Sequence, residues 1–431
     1  MEPFSSRRRA LLARLDGAAL IPAALVALRN NDVEHEYRQD SDLFYLTGMV
    51  EPEAVLLLVP HHPVHRAVMF VRPREPGREA WDGPRVGVED AVQRFGVDAA
   101  YPVAELADRL PGYLARHDRL HYRLGRDRAT DERVLGAIEK ARARGRSPLA
   151  WPAQIVDPAV LVHEARLVKS PGEIANMRRA AEITRDAHLG AMRLAADGRH
   201  EFELDAVIRE VFRRNGCERP AYGPIVGSGP NATILHYRKN ARRMADGDLV
   251  LVDAGCEHEY YASDVTRTFP VSGTFSPAQR RIYEIVLEAE LAAIEAVRPG
   301  ATVDGVHEVA VRTIVLGLVR IGVLRGDPSR LVAECAHKPY FMHRTSHWLG
   351  MDVHDVGAYH VGGAPRPLAP GMVITVEPGL YFRPDDASVP PEYRGLGVRI
   401  EDDVVVIEGG RRELTADLPK TVDAVERACR A

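Results

Sequence analysis

Two hydrophobic periods alternate along the chain. Early on, short unbroken apolar runs, AVLLLV at 54–59 and RAVMFV at 66–71, are separated by Ala/Arg/Leu-rich stretches with helical spacing. Apolar runs bounded by polar turns predict buried strands, and the 3.6-residue period between them predicts helices. Residues 1–160 therefore read as an α/β domain.

A strong helix start follows in LVKSPGEIANMRRAAEITRDAHLGAMRLAADG. Ser170 suits the capping position, Pro171 the first helical position, and Glu173 completes a capping box. Ile174, Met177, Ala181 and Thr184 then keep helical spacing. The domain boundary is placed just before it, giving residues 1–160 and 161–431.

The second part repeats itself. ADGDLVLVDAG (245–255) aligns with APGMVITVEPG (369–379), pairing Gly247 with Gly371, Val250 with Ile374, Val252 with Val376, Asp253 with Glu377 and Gly255 with Gly379. A second echo pairs 194–216 with 296–322, each a helix, a Gly-containing turn and a helix. Two related α+β halves, an internal pseudo-twofold repeat, are expected in residues 161–431.

Composition narrows the function classes. At 431 residues, 45% hydrophobic and 27% charged, the chain reads as a two-domain globular protein. Its formal net charge of −4 is spread along the chain, which gives no footprint for nucleic acid or an anionic membrane. The basic cluster Arg7 to Arg9 reads as a solvated face. SSRRR followed by AALIPAALVAL raises a secretory signal, but Arg14 and Asp16 interrupt the approach and RNNDVEHEYRQDSD stands where a cleavage site should be. The run is also too short to span a membrane. Cys217, Cys256, Cys335 and Cys429 form no CxxC pair, which suits a reduced, cytoplasmic protein.

Carboxylates stand where strands should exclude them. Asp253 ends LVLV, a predicted strand YYASDVTRTF carries Asp264, and Glu377 follows VITV. LGVRIEDDVVV puts Arg399 and Glu401 on one strand face by period-two alternation. One such acid alone reads as a solvated strand end. Four, two of them equivalent in a repeat, point to convergence, because an unpartnered acid after an apolar run is costly. Four converging carboxylates call for positive charge that two divalent cations would supply. Oxygen-rich ligation with a single imidazole suits Mn²⁺ or a similar harder ion better than structural zinc.

Three histidines, His343, His347 and His354, fall within twelve positions. A zincin helix needs HExxH, whereas HRTSH lacks the glutamate, and Gly350 with the HWLGMDVHD alternation reads as strand or loop. Histidines hydrogen-bonded in a core are a second reading. In the third, one binds metal while the others face substrate, with His236 of NATILHYRKN as a further candidate. GSGPN (227–231) is no phosphate loop, since Pro230 and a strand-like TILHY supply no helix N-terminus. Ser228 sits in no nucleophile elbow. Trp81, in EAWDGPR, either packs or protrudes as a contact residue.

At these residues the sequence resembles the aminopeptidase P branch of the pita-bread metallopeptidase family. RQDSDLFYLTGMVEPEAVLLLV resembles the family's N-domain signature and RLVKSPGEI its inter-domain helix start. IVGSGPNATILHY, LVDAGCEHEYYASDVTRTFPVSG, HRTSHWLGMDVHDVG, ITVEPGLYF and GVRIEDDVVV resemble successive catalytic-domain motifs in order. The resemblance implies Asp253, Asp264, His347, Glu377 and Glu401 as ligands of two divalent ions, usually Mn²⁺, with Co²⁺ or Zn²⁺ as substitutes. Asp264 and Glu401 would bridge the two ions. It implies His236, His343 and His354 beside the substrate, Arg399 orienting a ligand carboxylate, and Tyr222 and Tyr381 at the site. Trp81 aligns with a tryptophan that reaches a neighbouring subunit in oligomeric relatives, so a homodimer or homotetramer is implied.

The implied reaction hydrolyses the bond between an N-terminal residue and a following proline, by a water activated between the metals, with Glu377 as proton shuttle. Prolidase, restricted to Xaa-Pro dipeptides, is the nearest alternative. A creatinase-like amidinohydrolase or a non-catalytic pita-bread module would be expected to lose ligands, and all five positions are intact.

Overall fold

A computed structural model describes residues 2–143 and 151–431. The chain divides into two compact units, one ending at Arg166 and the other running from Leu167 to Ala431. The helix Ala159–Leu167 spans residue 160.

The first unit is built on a six-stranded mixed sheet. Its strands are β1 (Ala18–Pro22), β2 (Val55–Leu58), β3 (Ala67–Val71), β4 (Ala99–Pro102), β5 (Arg119–His121) and β6 (Gln154–Val156). Their order is β4-β3-β2-β1-β5-β6, with β1 antiparallel to β2 and parallel to β5. Every position of β2 and β3 is buried, which explains the unbroken apolar runs. AALIPAALVAL opens with β1, a central strand of this sheet.

One sequence expectation fails in this unit. Arg8 is buried at 2% exposure rather than solvated, and its guanidinium donates to the carbonyls of Leu46, Phe95 and Gly96, each at 2.7 Å. Those carbonyls end two short elements, the helix Ser41–Thr47 and the helix Gly87–Phe95, and need donors that the backbone no longer supplies. Arg7 beside it lies over the Tyr45 ring, 4.1 Å from its centroid.

In the second unit two helix pairs cover strands. Helices α1 (Pro171–Leu194) and α2 (Glu201–Arg214) form one pair, and α3 (Pro277–Ala296) and α4 (Val303–Arg320) the other. The capping box of Ser170 and Glu173 is present at the start of α1. Each pair turns through a glycine with φ +85°, Gly198 in one and Gly300 in the other, a backbone region that side chains disfavour. That matched pair of turns is the repeat made visible.

The strands are β7 (Ile225–Ser228), β8 (Leu249–Asp253), β9 (Thr266–Pro270), β10 (Val373–Val376), β11 (Gly379–Tyr381), β12 (Gly397–Arg399), β13 (Asp402–Ile407) and β14 (Gly410–Glu413). They form the antiparallel sheets β7-β8-β9 and β10-β13-β14 and the ribbon β11-β12. Ile183, Ala187, Ile282, Val286, Ile314 and Leu318 pack with Val252 and Phe269 in one core. Each of these side chains except Ala187 contributes roughly 1.5–3 kcal/mol when fully buried.

Three strand expectations need correction. YYASDVTRTF is not continuous: Tyr261–Ala262 and β9 are separate strands, and Asp264 lies in the break. LGVRIEDDVVV likewise breaks after Arg399, and the Glu401 amide donates instead to Thr266 O at 3.1 Å. TILHY is no strand: Thr233 ends a 3-10 helix at Gly229–Thr233, and the chain then turns through residues 234–236. In the first two, the chain leaves the ladder where a carboxylate must point into a shared space.

Candidate metal centre

The acids arrive on a braced scaffold. Asp253 is the last residue of β8, opposite Thr266 of β9. Two residues on, an added Cβ at Gly255 would stand 1.8 Å from Ser263 O, so only glycine allows the chain to fold back this closely. Helix α1 ties both arms of the return. Thr184 Oγ1 lies 2.6 Å from Ser263 Oγ and accepts from the Cys256 amide, while His188 Nε2 donates to Ala254 O at 3.0 Å. The Asp264 amide donates to the Asp403 carboxylate. In the second half, the Glu377 amide donates to Thr345 O at 2.8 Å, and Thr266 Oγ1 donates to Glu401 at 2.6 Å.

Asp264, His347 and Glu401 each offer a ligand atom, all within 4.8 Å of one another. His347 Nε2 lies 3.3 Å from Asp264 and 3.5 Å from Glu377. Its Nδ1 donates to Trp348 O at 3.0 Å, which aims Nε2 at the acids. The Tyr222 hydroxyl lies 2.6 Å from Asp253 and 2.5 Å from Asp264. Arg399 pairs with Asp253 and donates to Thr266 Oγ1 at 3.0 Å and to the Tyr381 hydroxyl at 2.9 Å. All of these except Trp348, Thr266 and Tyr381 line one cavity of about 830 Å³, together with His236, His343 and His354.

Charge is the decisive feature of this wall. Burial and neighbouring acids raise the carboxyl pKa of Asp253 and Glu401, and burial lifts Glu377 to about 7. Against four carboxylates stand Arg399 and His347. Burial opposes the imidazolium of His347, yet Asp264 and Glu377 hold its pKa up at about 9. Tyr222 has one proton to give, yet two carboxylate oxygens lie within bonding distance. The wall is short of positive charge, and its donors, four carboxylates and one imidazole, fit divalent cations.

The other histidines differ. No helix forms over 343–357, so His343 and His347 are not a helical pair; Trp348 bridges Ile374 instead. His343 Nδ1 donates to Arg344 O at 2.8 Å, leaving Nε2 to accept from the Tyr381 hydroxyl at 2.9 Å. Burial and Arg399 push its pKa down to about 3, so it is neutral. The His354 ring stands edge-on to His347, centroids 4.5 Å apart. Its neighbour Asp355 forms a buried pair with Lys169 at 2.9 Å, which anchors that loop. His236 is exposed in its turn, and Trp81 projects from the helix Pro76–Asp82 of the first unit at 88% exposure.

Sequence reasoning missed Asp403 and Thr266. Asp403 is 1% exposed and its carboxyl pKa is raised by burial and by Asp264. The doubled acid in IEDDVVV was its signal. A polar threonine facing Asp253 in the ladder was that of Thr266.

Two related α+β halves closing on an acid-rich wall define the pita-bread class of metallohydrolase. Within that class the chain belongs to metallopeptidase family M24, whose model matches residues 175–408, and the aminopeptidase P N-terminal domain matches residues 4–122. It is 47% identical to an Xaa-Pro aminopeptidase of Escherichia coli, covering 99% of this chain and 97% of that protein. The structure of the aminopeptidase PepP of Pseudomonas aeruginosa superimposes with a TM-score of 0.97 at 48% identity, covering 100% of this chain and 98% of that one. A zinc-substituted E. coli aminopeptidase P in complex with product gives a TM-score of 0.96 at 47% identity, over 100% and 98% of the two chains. Among the described residues no helix is long and apolar enough to cross a membrane.

Proposed function

We propose that this chain is an Xaa-Pro aminopeptidase, removing one N-terminal residue from peptides whose second residue is proline. The observation that carries the reading is the wall of Asp253, Asp264, His347, Glu377 and Glu401 beside Arg399 in one cavity. Those five residues would hold two divalent ions, Mn²⁺ natively, with Co²⁺ or Zn²⁺ as substitutes. Ions bound there would polarise the scissile carbonyl and make a water acidic enough to lose a proton near neutral pH.

The residues of the chain do the rest. Glu377 takes a proton and returns it to the proline nitrogen as that amine leaves. His354, which burial and the neighbouring His347 keep inclined to be neutral, and His236 steady the substrate carbonyl as charge develops on its oxygen. Arg399, Tyr381 and His343 form one hydrogen-bonded frame that gives Asp253 a cationic partner and borders the proline ring. Tyr222 closes the wall between Asp253 and Asp264. The protein works in the cytoplasm as a homodimer or homotetramer, with the exposed Trp81 reaching a neighbouring subunit.

A peptide-length series with added Mn²⁺ tests the reading. Hydrolysis of Xaa-Pro-Xaa and longer peptides is expected; cleavage of Xaa-Pro dipeptides alone would make the chain a prolidase. Full activity in Asp264→Ala would overturn the two-ion site.

A further inference from the structure

Glu201 opens α2 and is completely buried. Its Oε1 accepts from the Ser228 amide at 2.7 Å, Ser228 Oγ at 2.8 Å and Asn231 Nδ2 at 3.0 Å. Its Oε2 accepts from the Tyr237 hydroxyl at 2.9 Å and the Arg242 amide at 2.7 Å. One carboxylate thus receives five donors, and they lie on both sides of His236: Ser228 and Asn231 precede it, Tyr237 and Arg242 follow it.

The segment between those donors is the part that reaches the cavity. Leu235, His236 and Arg238 all line it. Leu235 and Tyr237 also pack on the small core of Ile225, Ala232, Leu251 and Tyr381, so Tyr237 joins the clasp to the site wall. His236 itself is exposed in a turn, outside any helix or strand. A side chain on such a turn is held by its neighbours, and a loose turn would cost reaction geometry.

We propose that Glu201 is a positioning residue for catalysis, whose carboxylate clasps residues 228–242 and so sets His236 against the substrate carbonyl. The inference rests on the Xaa-Pro aminopeptidase reading given above. Glutamine is the sensitive probe, since it keeps size but presents an NH₂ group to one set of donors. Either the Ser228 side or the Arg242 amide then faces a donor instead of an acceptor. The clasp opens on one flank while α2 and the acids of the wall stay in place.

The test is a double-mutant cycle on an Xaa-Pro-Xaa peptide with added Mn²⁺, with kcat, KM and bound metal measured for each variant. Glu201→Gln is expected to lower kcat about tenfold with KM and metal content near wild type, the kind of loss a misplaced catalytic group produces. In a His236→Ala background the same change is expected to cost nothing further, because its effect runs through His236. Should Glu201→Gln fail to fold, Tyr237→Phe removes a single donor and is expected to show the same non-additivity at smaller amplitude. Additive losses, a wild-type kcat in Glu201→Gln, or a loss confined to metal content would overturn the proposal. A wild-type protein inactive on every Xaa-Pro peptide would instead remove the reading beneath it.

Discussion

The amide of Asp264 donates to the carboxylate of Asp403 at 3.2 Å, so one buried acid holds the backbone of another. Asp403 takes no place on the cavity wall, but it fixes the break between strands where Asp264 turns inward. Partners of this kind commonly change metal affinity by about 10–100-fold when lost. Asp403→Ala is therefore expected to weaken Mn²⁺ binding by about that factor. Asp403→Asn, which keeps an acceptor oxygen and suits a carboxyl already inclined to hold its proton, should stay close to wild type. Calorimetric titration of Mn²⁺ into both variants checks the order.

The two sites of charge predict how metal and pH work together. Burial opposes charge on His347, but Asp264 and Glu377 outweigh it and lift the pKa to about 9. Its contribution to the metal-free protein is full below 6.5 and is lost as pH rises through about 9. Glu377, lifted to about 7 chiefly by burial, also stabilises the metal-free protein less as pH rises through that value. Metal binding needs both groups deprotonated, so added Mn²⁺ should raise Tm more at about pH 8 than at about pH 6. A Tm gain that stays flat or shrinks over that interval would contradict this account.

How much of this was legible in the sequence depends on what each residue answers to. Asp253 and Glu377 stood out because each ends an apolar run in a repeated motif, and local pattern is what a sequence displays. The helices and the capping box at Ser170 were readable for the same reason. Asp264 and Glu401 were found by motif, but the breaks that aim them were not. Those breaks depend on the Asp403 carboxylate and Thr266 O, which lie far off along the chain. Arg8 was misread because its carbonyl partners come from residues 46, 95 and 96, and no local pattern announces them.

The first unit should lose stability in mild acid. His117 is 4% exposed, and burial, with His61 stacked at 5.8 Å, lowers its pKa below 6.5. A histidine depressed on folding stabilises fully above its unfolded value near 6.5, and that stability is lost as pH falls through the folded value. Urea unfolding of the wild type is expected to show a lower midpoint at about pH 5 than at about pH 7, with the difference reduced in His117→Gln. An unchanged difference in that variant would assign the acid sensitivity elsewhere.

Gly255 gives a steric prediction. A methyl group there would meet Ser263 O at 1.8 Å, and backbone on both sides leaves no flexible side chain to yield. Gly255→Ala should cost about 2–3 kcal/mol, the upper part of what overpacking costs. It should also spread Asp253 from Asp264 and abolish tight Mn²⁺ binding. Thermal unfolding and metal content of the purified variant report the two effects separately.

His347 and His354 lie with their rings 4.5 Å apart, yet their replacement should have different consequences. His347 points Nε2 at Asp264 and Glu377, and its other nitrogen is committed to Trp348 O. His354→Ala leaves that arrangement whole, whereas His347→Ala removes the imidazole that, among the described residues, lies within 4.8 Å of both Asp264 and Glu401. His347→Ala is therefore expected to purify with little metal and to regain activity only at high added Mn²⁺. His354→Ala should bind Mn²⁺ as the wild type does and lose about 10²–10³ in kcat, the scale on which one oxyanion donor acts. The pair of measurements, metal content and kcat at saturating Mn²⁺, separates them. Equal metal loss in both variants would show that the two imidazoles share the ion and that the division of labour is wrong.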